Sequence, residues 1–285
     1  MLFDEEAQNT KASRGMTNNI KMVNAPSAWD LGYTGKDILV SILDTGVNIN
    51  HIDLSDHLWD GGEEYPNHGY NTYDNNHDVI DRYGHGTHCA GTICGDGTSG
   101  TQIGVAPDAT IMCVKVMDDA GSGNANSVCS GIEFAIEHGA DVLNMSLGFP
   151  NASNSTREAL RQTYENALEA NVAIVTAVGN DGMLNLTFPV PNSVRVPGGC
   201  PPPWLHPDQQ ANPGGLSACI AVGAVNSSNK VADFSSKGPF TWQTTSYEDY
   251  PYLPGREIGL IRPDVCAPGM YIVSSAHNSN DGFSV

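Results

Sequence analysis

The residues best suited to do chemistry in this sequence are an early aspartate and a later histidine. His85 stands between Gly84 and Gly86, so the backbone can turn sharply there and leave the imidazole open to a cleft. Residues 87–93 are mostly small and carry no acidic or strongly basic side chain, which predicts a buried helix. A histidine at the start of such a helix is well placed to act as a general base.

Asp44 ends the apolar run 38–43, which is rich in β-branched residues and predicts a strand buried on both faces. Open α/β sheets place their ligand sites at the C-terminal ends of parallel strands, which is where Asp44 would lie. Taken alone, Asp44 with Thr45 and Gly46 is typical of an ordinary turn, and a single His-Gly is typical of a helix start. Together, the two segments have the chain order Asp…His, which in subtilisin-like enzymes is completed by a later serine.

These two segments together resemble the subtilisin-like serine proteases, the subtilases. Further segments of the chain match family motifs, in the family's order: 104–107, 144–148, 234–239 and 262–269. The resemblance runs from near Asn24 to the end of the chain. It implies an α/β fold of three layers, in which a mostly parallel sheet carries helices on both faces, as in subtilisin.

The resemblance also implies roles for individual residues. His85 would be the general base, Asp44 would orient it, and Asn180, which follows the apolar run 172–178, would donate a hydrogen bond to the oxyanion. By itself, Asn180 would be interpreted as an asparagine in a tight turn. The implied walls of the substrate cleft are Gly121, Ser122, Gly123, Ser146, Leu147 and Gly148. Without the resemblance, these two segments would be a flexible turn and the end of a core strand.

One motif of the family is missing. The nucleophile lies in a Gly-Thr-Ser-Met-Ala sequence that occurs nowhere in these 285 residues, and Ser284 lacks the flanking glycine and small residues of that motif. We therefore expect the peptidase domain to be incomplete at its C-terminus and this chain to be inactive. The predicted function is that of a serine endopeptidase working through an acyl-enzyme. The alternative is a pseudoprotease or peptide-binding protein with a subtilisin-like cleft.

The composition limits the partners. Thirteen basic against 32 acidic residues give a formal net charge of −19, which argues against nucleic acid and suits a well-solvated surface. No apolar run approaches membrane-spanning length, and residues 1–6 lack the basic and apolar parts of a signal peptide. We expect a protein or peptide substrate, no membrane segment, and secretion by family habit. Hydrolysis of this kind requires no cofactor.

A structural calcium ion is an open question at Asp53, because many relatives bind calcium through an aspartate in this region. The nearby loop 97–102 is shorter than the calcium-binding version. The histidines of the polar stretch 48–82 match no zinc-ligand spacing, so a solvated acidic surface is favoured over a zinc site there.

The chain is divided into an N-terminal arm, 1–23, and a peptidase domain, 24–285, with a proline-rich insertion at about 183–217. Its periodicity predicts a helix at 127–138 and another at 155–170 with Ser155 as N-cap. Buried strands are predicted over 110–116, 142–148 and 218–225. Cys89 follows His85 by one helical turn, so both should lie on the same face of the helix.

Overall fold

The computed structural model describes residues 15–184, 187–206, 214–242, 244, 246–253, 255 and 259–285. The chain divides into two compact units, the first formed by Met1–Asn144 with Tyr271–Val285 and the second by Met145–Met270. A seven-stranded sheet is parallel throughout the described registers, and its strands follow one another in space in the order 69–71, 110–115, 39–44, 142–145, 173–177, 219–225 and 265–268.

The first unit begins with a short strand and ends with a two-stranded antiparallel pair. Its elements are β1 (Gly15–Met16), α1 (Asn18–Met22), α2 (Ala25–Trp29), β2 (Leu39–Asp44), β3 (Gly69–Asn71), α3 (His85–Cys94), β4 (Thr101–Gln102), β5 (Thr110–Lys115), α4 (Ala125–Glu137), β10 (Ser274–Ser275) and β11 (Phe283–Ser284). The strand β6 (Val142–Met145) ends at the boundary between the units. The second unit holds α5 (Asn154–Glu169), β7 (Ala173–Ala177), β8 (Cys219–Val225) and β9 (Val265–Pro268).

Strand β2 is the central strand of the first unit. It pairs in parallel with β5 on one side, where Asp44 is in register with Lys115, and with β6 on the other. From Val40 to Asp44 every residue is buried, as the apolar run predicted. Asp44 is therefore held at the C-terminal end of a strand that has neighbours on both edges.

Helices α3 and α4 cover opposite faces of this sheet. Ile111 and Cys113 of β5 belong to the same core cluster as Ala90 and Cys94 of α3. On α4, a Cβ added to Gly131 would meet Val114 and Val116 instead. Since successive side chains of a strand point to opposite faces, the three layers of the predicted fold are confirmed.

The second unit packs α5 against its own strands. The Tyr164 hydroxyl lies 3.0 Å from the sulfur of Met145, and Ala218 N donates to the Tyr164 carbonyl. Arg161, also on α5 and almost completely buried, is paired with Asp249 and Glu165. A buried guanidinium needs such partners, because its charge cannot be solvated inside the core.

Within the predicted N-terminal arm, the described residues from Gly15 form β1, which pairs with β4, and α1, in which Ile20 is fully buried; residues 1–14 lie outside the described residues. Some predicted element bounds differ from the structure. Helix α5 begins one residue earlier than expected, and its N-cap is Ser153, whose Oγ accepts from Thr156 N at 3.2 Å, so the prediction of Ser155 was wrong. Strand β6 ends at Met145, because the chain leaves the ladder before Ser146.

The proline-rich stretch 183–217 falls partly on residues 185–186 and 207–213, outside the described residues. Its described parts are turns and irregular chain, with one isolated bridge between Phe149 and Val196. Across the part of the chain that the structure describes, no helix combines the length and apolar character needed to cross a bilayer.

Candidate active site

Asp44 and His85 lie in direct contact in the first unit. The Nδ1–H of His85 donates to both carboxylate oxygens of Asp44, with Nδ1 to oxygen distances of 2.7 and 2.9 Å. Asp44 is completely buried, whereas the His85 side chain keeps 28% of its surface exposed. Because Nδ1 carries the hydrogen in this bond, the neutral ring has Nε2 available to accept a proton.

Close backbone approach brings the two residues together. A Cβ on Gly86 would clash with the carbonyl oxygen of Gly46 and lie 3.0 Å from the Cβ of Asp44. Gly84, the N-cap of α3, has a φ of 113°, in the left-handed region that favours glycine. The two glycines that flank His85 therefore let α3 begin directly against the turn that follows Asp44.

The pKa of His85 is set by opposing effects. Burial alone lowers it, but the negative charge of Asp44, together with the neighbouring Cys89 and the hydrogen bond to Asp44, outweighs burial and raises the pKa well above its usual value. The arrangement therefore stabilises an imidazolium at this position. That is the state a general base enters when it takes a proton from a nucleophile.

His88 is a second histidine on the same helix, with a different role. Its Nε2–H donates to the carbonyl of Ile272 at 2.8 Å. Burial lowers the pKa of His88, although the Ile272 carbonyl acts in the opposite direction. His88 thus ties α3 to the C-terminal segment of the unit as a neutral hydrogen-bond donor.

Cys89 lies one turn after His85, with its sulfur 3.9 Å from His85 Nδ1, so the two residues share a helix face as predicted. Within the described residues, a search for metal-binding groups finds one set of three, Asp44, His85 and Cys89, whose ligand atoms all lie within 4.8 Å of one another. The hydrogen bond between His85 and Asp44 already uses the facing atoms of two of the three side chains.

Asn180 belongs to the second unit, three residues after the end of β7. Its backbone neighbours are fixed on both sides. Ser236 N donates to the carbonyl of Gly179, and Ser236 Oγ accepts from Asp181 N at 3.0 Å. Asp181, fully buried, is paired with Arg195 through two hydrogen bonds of 2.7 and 2.9 Å. The half-buried Asn180 therefore lies between two residues whose backbone is held by hydrogen bonds, and its role as an oxyanion donor stays a prediction.

Comparison with known proteins decides the family. The profile of the subtilase family matches residues 35–283, nearly all of the described chain. The chain belongs to the subtilase family.

Named relatives show how far the similarity extends. Subtilisin E of Bacillus subtilis (strain 168) is 36% identical over 219 residues, which cover 77% of this chain and 49% of subtilisin E. The minor extracellular protease Vpr of the same organism is 40% identical over 189 residues, 63% of this chain and 22% of Vpr. Its major intracellular serine protease is 30% identical over 268 residues, 94% of this chain and 69% of that protein. The chain spans about half the length of relatives such as subtilisin E.

The two segments that the resemblance assigned to the substrate cleft of this subtilase lie in different units. In the first unit, the Asp118 carboxylate accepts from Ala120 N and Ser122 N, which closes a turn that leaves Ser122 and Gly123 exposed. In the second unit, Ser146, Leu147 and Gly148 follow β6, and Leu147 is buried. Gly121 is buried within the turn. Their contact with a substrate stays a prediction.

Asp53, the candidate calcium ligand of the subtilase, is fully buried, and both carboxylate oxygens already have donors. Ser99 N donates to Oδ1 and Ser99 Oγ donates to Oδ2, each at 2.6 Å. Ser99 belongs to the short loop 97–102. A calcium ion held by Asp53 would compete with Ser99 for these same oxygens, and calcium at Asp53 stays a prediction.

Sequence reasoning missed three residues that shape these sites: Asp81, Ser99 and Arg195. Each of them bonds a residue that is distant in the sequence, so no local spacing marks it. The nearest signal for Asp81 was its place four residues before His85 at the end of a long polar loop. That signal does not separate it from the other carboxylates of the loop.

Proposed function

We propose that this subtilase is part of a serine endopeptidase that hydrolyses peptide bonds through an acyl-enzyme. The observation that carries the proposal is the contact between His85 and Asp44, in which a fully buried carboxylate accepts from Nδ1 of a partly exposed imidazole. That geometry fixes the tautomer and leaves Nε2 for proton transfer. Family membership supports the same chemistry.

In the proposed reaction, a serine hydroxyl attacks the peptide carbonyl while His85 Nε2 takes its proton. His85 then gives that proton to the leaving amine. A water molecule next attacks the ester of the acyl-enzyme while His85 takes a proton from it, and His85 returns this proton to the serine. Asp44 holds the imidazole in the productive tautomer and stabilises its charged form. Asn180 donates its side-chain amide to the oxyanion, a role that rests on the family likeness and on the hydrogen bonds that hold its two backbone neighbours.

We further propose that the nucleophile is a serine outside these 285 residues. The support is the sequence itself, which contains the family's other motifs in order but no Gly-Thr-Ser-Met-Ala. The 285-residue chain by itself would then be inactive. A pseudoprotease that only binds peptides would show the same sequence feature, so the test must separate these two readings.

The test compares the full-length protein with the 285-residue chain. We expect the full-length protein to cleave casein and to be inactivated by a serine-directed phosphonate. His85→Ala should abolish both cleavage and labelling, and the short chain should show neither. A full-length protein that folds and binds peptides but is not labelled would support the pseudoprotease. Phosphonate-sensitive cleavage by the short chain would refute the missing nucleophile.

We also propose that hydrolysis needs no cofactor and that Asp53 holds Ser99 in place of calcium. The support is the pair of 2.6 Å hydrogen bonds that occupy both carboxylate oxygens. The partners are proposed to be protein or peptide substrates, because the family is one of peptidases. We propose secretion because most members of the family are secreted. The relatives' names do not decide the location, because they include both an extracellular and an intracellular protease. Fractionation of the native source would decide the location.

A further inference from the structure

Asp81 is a buried carboxylate at the start of the histidine helix that the proposed chemistry does not use. It is 3% exposed and accepts five hydrogen bonds. Its Oδ1 accepts from Thr45 Oγ1 at 2.9 Å, Tyr83 N at 3.0 Å and Gly84 N at 2.8 Å. Its Oδ2 accepts from Thr87 N at 2.9 Å and Thr87 Oγ1 at 2.7 Å.

Asp81 supplies the cap that the sequence of α3 lacks. The N-cap residue is Gly84, which has no side chain to accept from the free N–H groups of the first turn. Asp81 Oδ2 takes the N–H of Thr87, and Thr45 Oγ1 takes the N–H of Gly86 at 3.0 Å. A negative charge at this end of a helix is also favoured by the helix dipole.

The same carboxylate reaches the strand that carries Asp44. Thr45 Oγ1 donates to Asp81, while Thr45 N donates to Asp44 Oδ1 at 2.8 Å. One threonine thus links the two carboxylates, one through its hydroxyl and the other through its backbone. The turn after Asp44 and the first turn of α3 are both attached to Asp81, and these two segments carry the two halves of the Asp44–His85 contact.

Lys115 holds the backbone beside Asp44 and the backbone beside Asp81. Its ammonium group, almost completely buried, donates to the carbonyls of Thr45 at 2.5 Å and Ile80 at 3.3 Å. Thr45 follows Asp44 and Ile80 precedes Asp81. The backbone next to each carboxylate is therefore held by a common cation.

From this network we infer that Asp81 is a positioning residue, which sets the register of His85 on Asp44 by joining the turn after β2 to the start of α3. The inference rests on the proposed function, because it assigns Asp81 to the service of the catalytic pair. Asp81 has no contact with the reacting atoms in this account. Its effect passes through Thr45, Gly84 and Thr87.

The test uses the full-length protein and two readouts. The first is the low-field proton resonance of His85 Nδ1–H, which reports the hydrogen bond to Asp44 and needs no peptidase activity. The second is the separation of kcat from KM on a peptide substrate. In Asp81→Asn, an amide NH₂ must face N–H or O–H donors, so the network cannot be kept. We expect the resonance to shift or disappear and kcat to fall about 10- to 100-fold, with KM nearly unchanged.

Controls separate positioning from general destabilisation. Asp264→Asn removes a buried carboxylate of the second unit that is paired with Arg262 at 2.6 Å, and should lower stability without changing the His85 resonance. If Asp81→Asn does not fold, Thr45→Val removes one link of the network, and Thr45→Ser, which keeps the hydroxyl, should restore the resonance and kcat.

Three outcomes are distinguishable. Folded Asp81→Asn and Thr45→Val variants with an unchanged His85 resonance and kcat would overturn the inference, and would leave Asp81 as a structural cap only. A wild-type protein that shows the resonance but has no peptidase activity would overturn the proposed function. In that case the response of the resonance to Asp81→Asn would still support or refute the positioning role.

Discussion

At the scale of single residues, the chemistry of the candidate site depends on which ring nitrogen of His85 carries the proton. His85 donates from Nδ1 to a carboxylate with no exposed surface, so the ring orientation and the tautomer are fixed together. The thiol of Cys89 lies against the same nitrogen. Three consequences can be measured.

The first consequence is sensitivity to mercurials in an enzyme whose proposed nucleophile is serine. A mercury atom on Cys89 would lie beside Nδ1 of His85 and displace the ring from Asp44, so stoichiometric labelling should remove most of the activity of the full-length protein. Cys89→Ala should be active and insensitive. Cys266→Ser, which removes an exposed thiol elsewhere, should stay sensitive and serves as the control. Full activity with Cys89 labelled would contradict this account.

The second consequence is an alkaline shift of the acid limb of the pH profile. A general base works only when neutral, and the pKa of His85 is raised above the ordinary value of about 6.5. We therefore expect kcat/KM to rise at higher pH than an unperturbed histidine would give. Because Cys89 helps to raise this pKa, the limb of Cys89→Ala should lie at lower pH than that of the wild type.

The third consequence is that the contribution of His85 to stability should fall with rising pH, over the range in which activity rises. A pKa raised by folding stabilises the protonated form, so this contribution is complete below about pH 6.5 and is lost as the pH rises through the folded-state pKa. The difference in unfolding free energy between the wild type and His85→Ala should therefore decrease with increasing pH. A difference that stays constant or increases would show that the pKa is not raised.

At the scale of elements, residues in the loops complete the hydrogen bonds of helix ends and of buried carboxylates. Asp81 accepts from Thr87 N in the first turn of α3, and Ser99, in the loop that follows α3, donates to Asp53. Ser99 is the clearer case, since one residue supplies two donors to the buried carboxylate of Asp53. Buried carboxylates need such donors because desolvation of the charge is costly.

If Ser99 stands in for calcium, the protein should not depend on the ion. We expect EDTA to leave the Tm of the full-length protein unchanged. Ser99→Ala should lose about 1–3 kcal/mol of unfolding free energy, since it leaves a buried carboxylate oxygen without its donor. Thr98→Ala is the matched control in the same loop, because the 2.6 Å hydrogen bond from Thr98 Oγ1 to Asp96 is exposed to solvent and should contribute less than about 1 kcal/mol. A Tm that falls with EDTA and recovers with calcium would show that Asp53 binds the ion.

At the scale of the whole molecule, the predicted cleft residues and the net charge of the protein can be compared as sources of substrate preference. The proposed cleft residues 121–123 and 146–148 carry no charged side chain, while the protein as a whole has a net charge of −19. Local chemistry and overall charge therefore favour different substrates. An uncharged pocket favours apolar side chains, and a strongly acidic surface attracts basic ones.

We expect the uncharged cleft residues, and not the net charge of the protein, to decide which side chains are preferred. A peptide library should show apolar or aromatic residues before the scissile bond, with little change between low and moderate salt. A profile dominated by arginine or lysine at that position would contradict the prediction. Asp118→Asn and Asp119→Asn would then show whether the carboxylates next to residues 121–123 cause it.

The sequence by itself indicated the family, through its resemblance to subtilase motifs, together with the layered fold and the candidate pair Asp44 and His85. It did so because Asp44, His85 and the strand and helix that carry them are marked by local patterns: an apolar run, flanking glycines and a run of small residues. It could not show that Ser99 occupies the carboxylate of Asp53, that Arg195 pairs with Asp181, or that Asp81 joins Thr45 to Thr87. Those contacts join loops whose partners depend on how the chain returns to the sheet. Only the tertiary structure decided them, because a buried charge takes whichever donors the fold brings within hydrogen-bond distance.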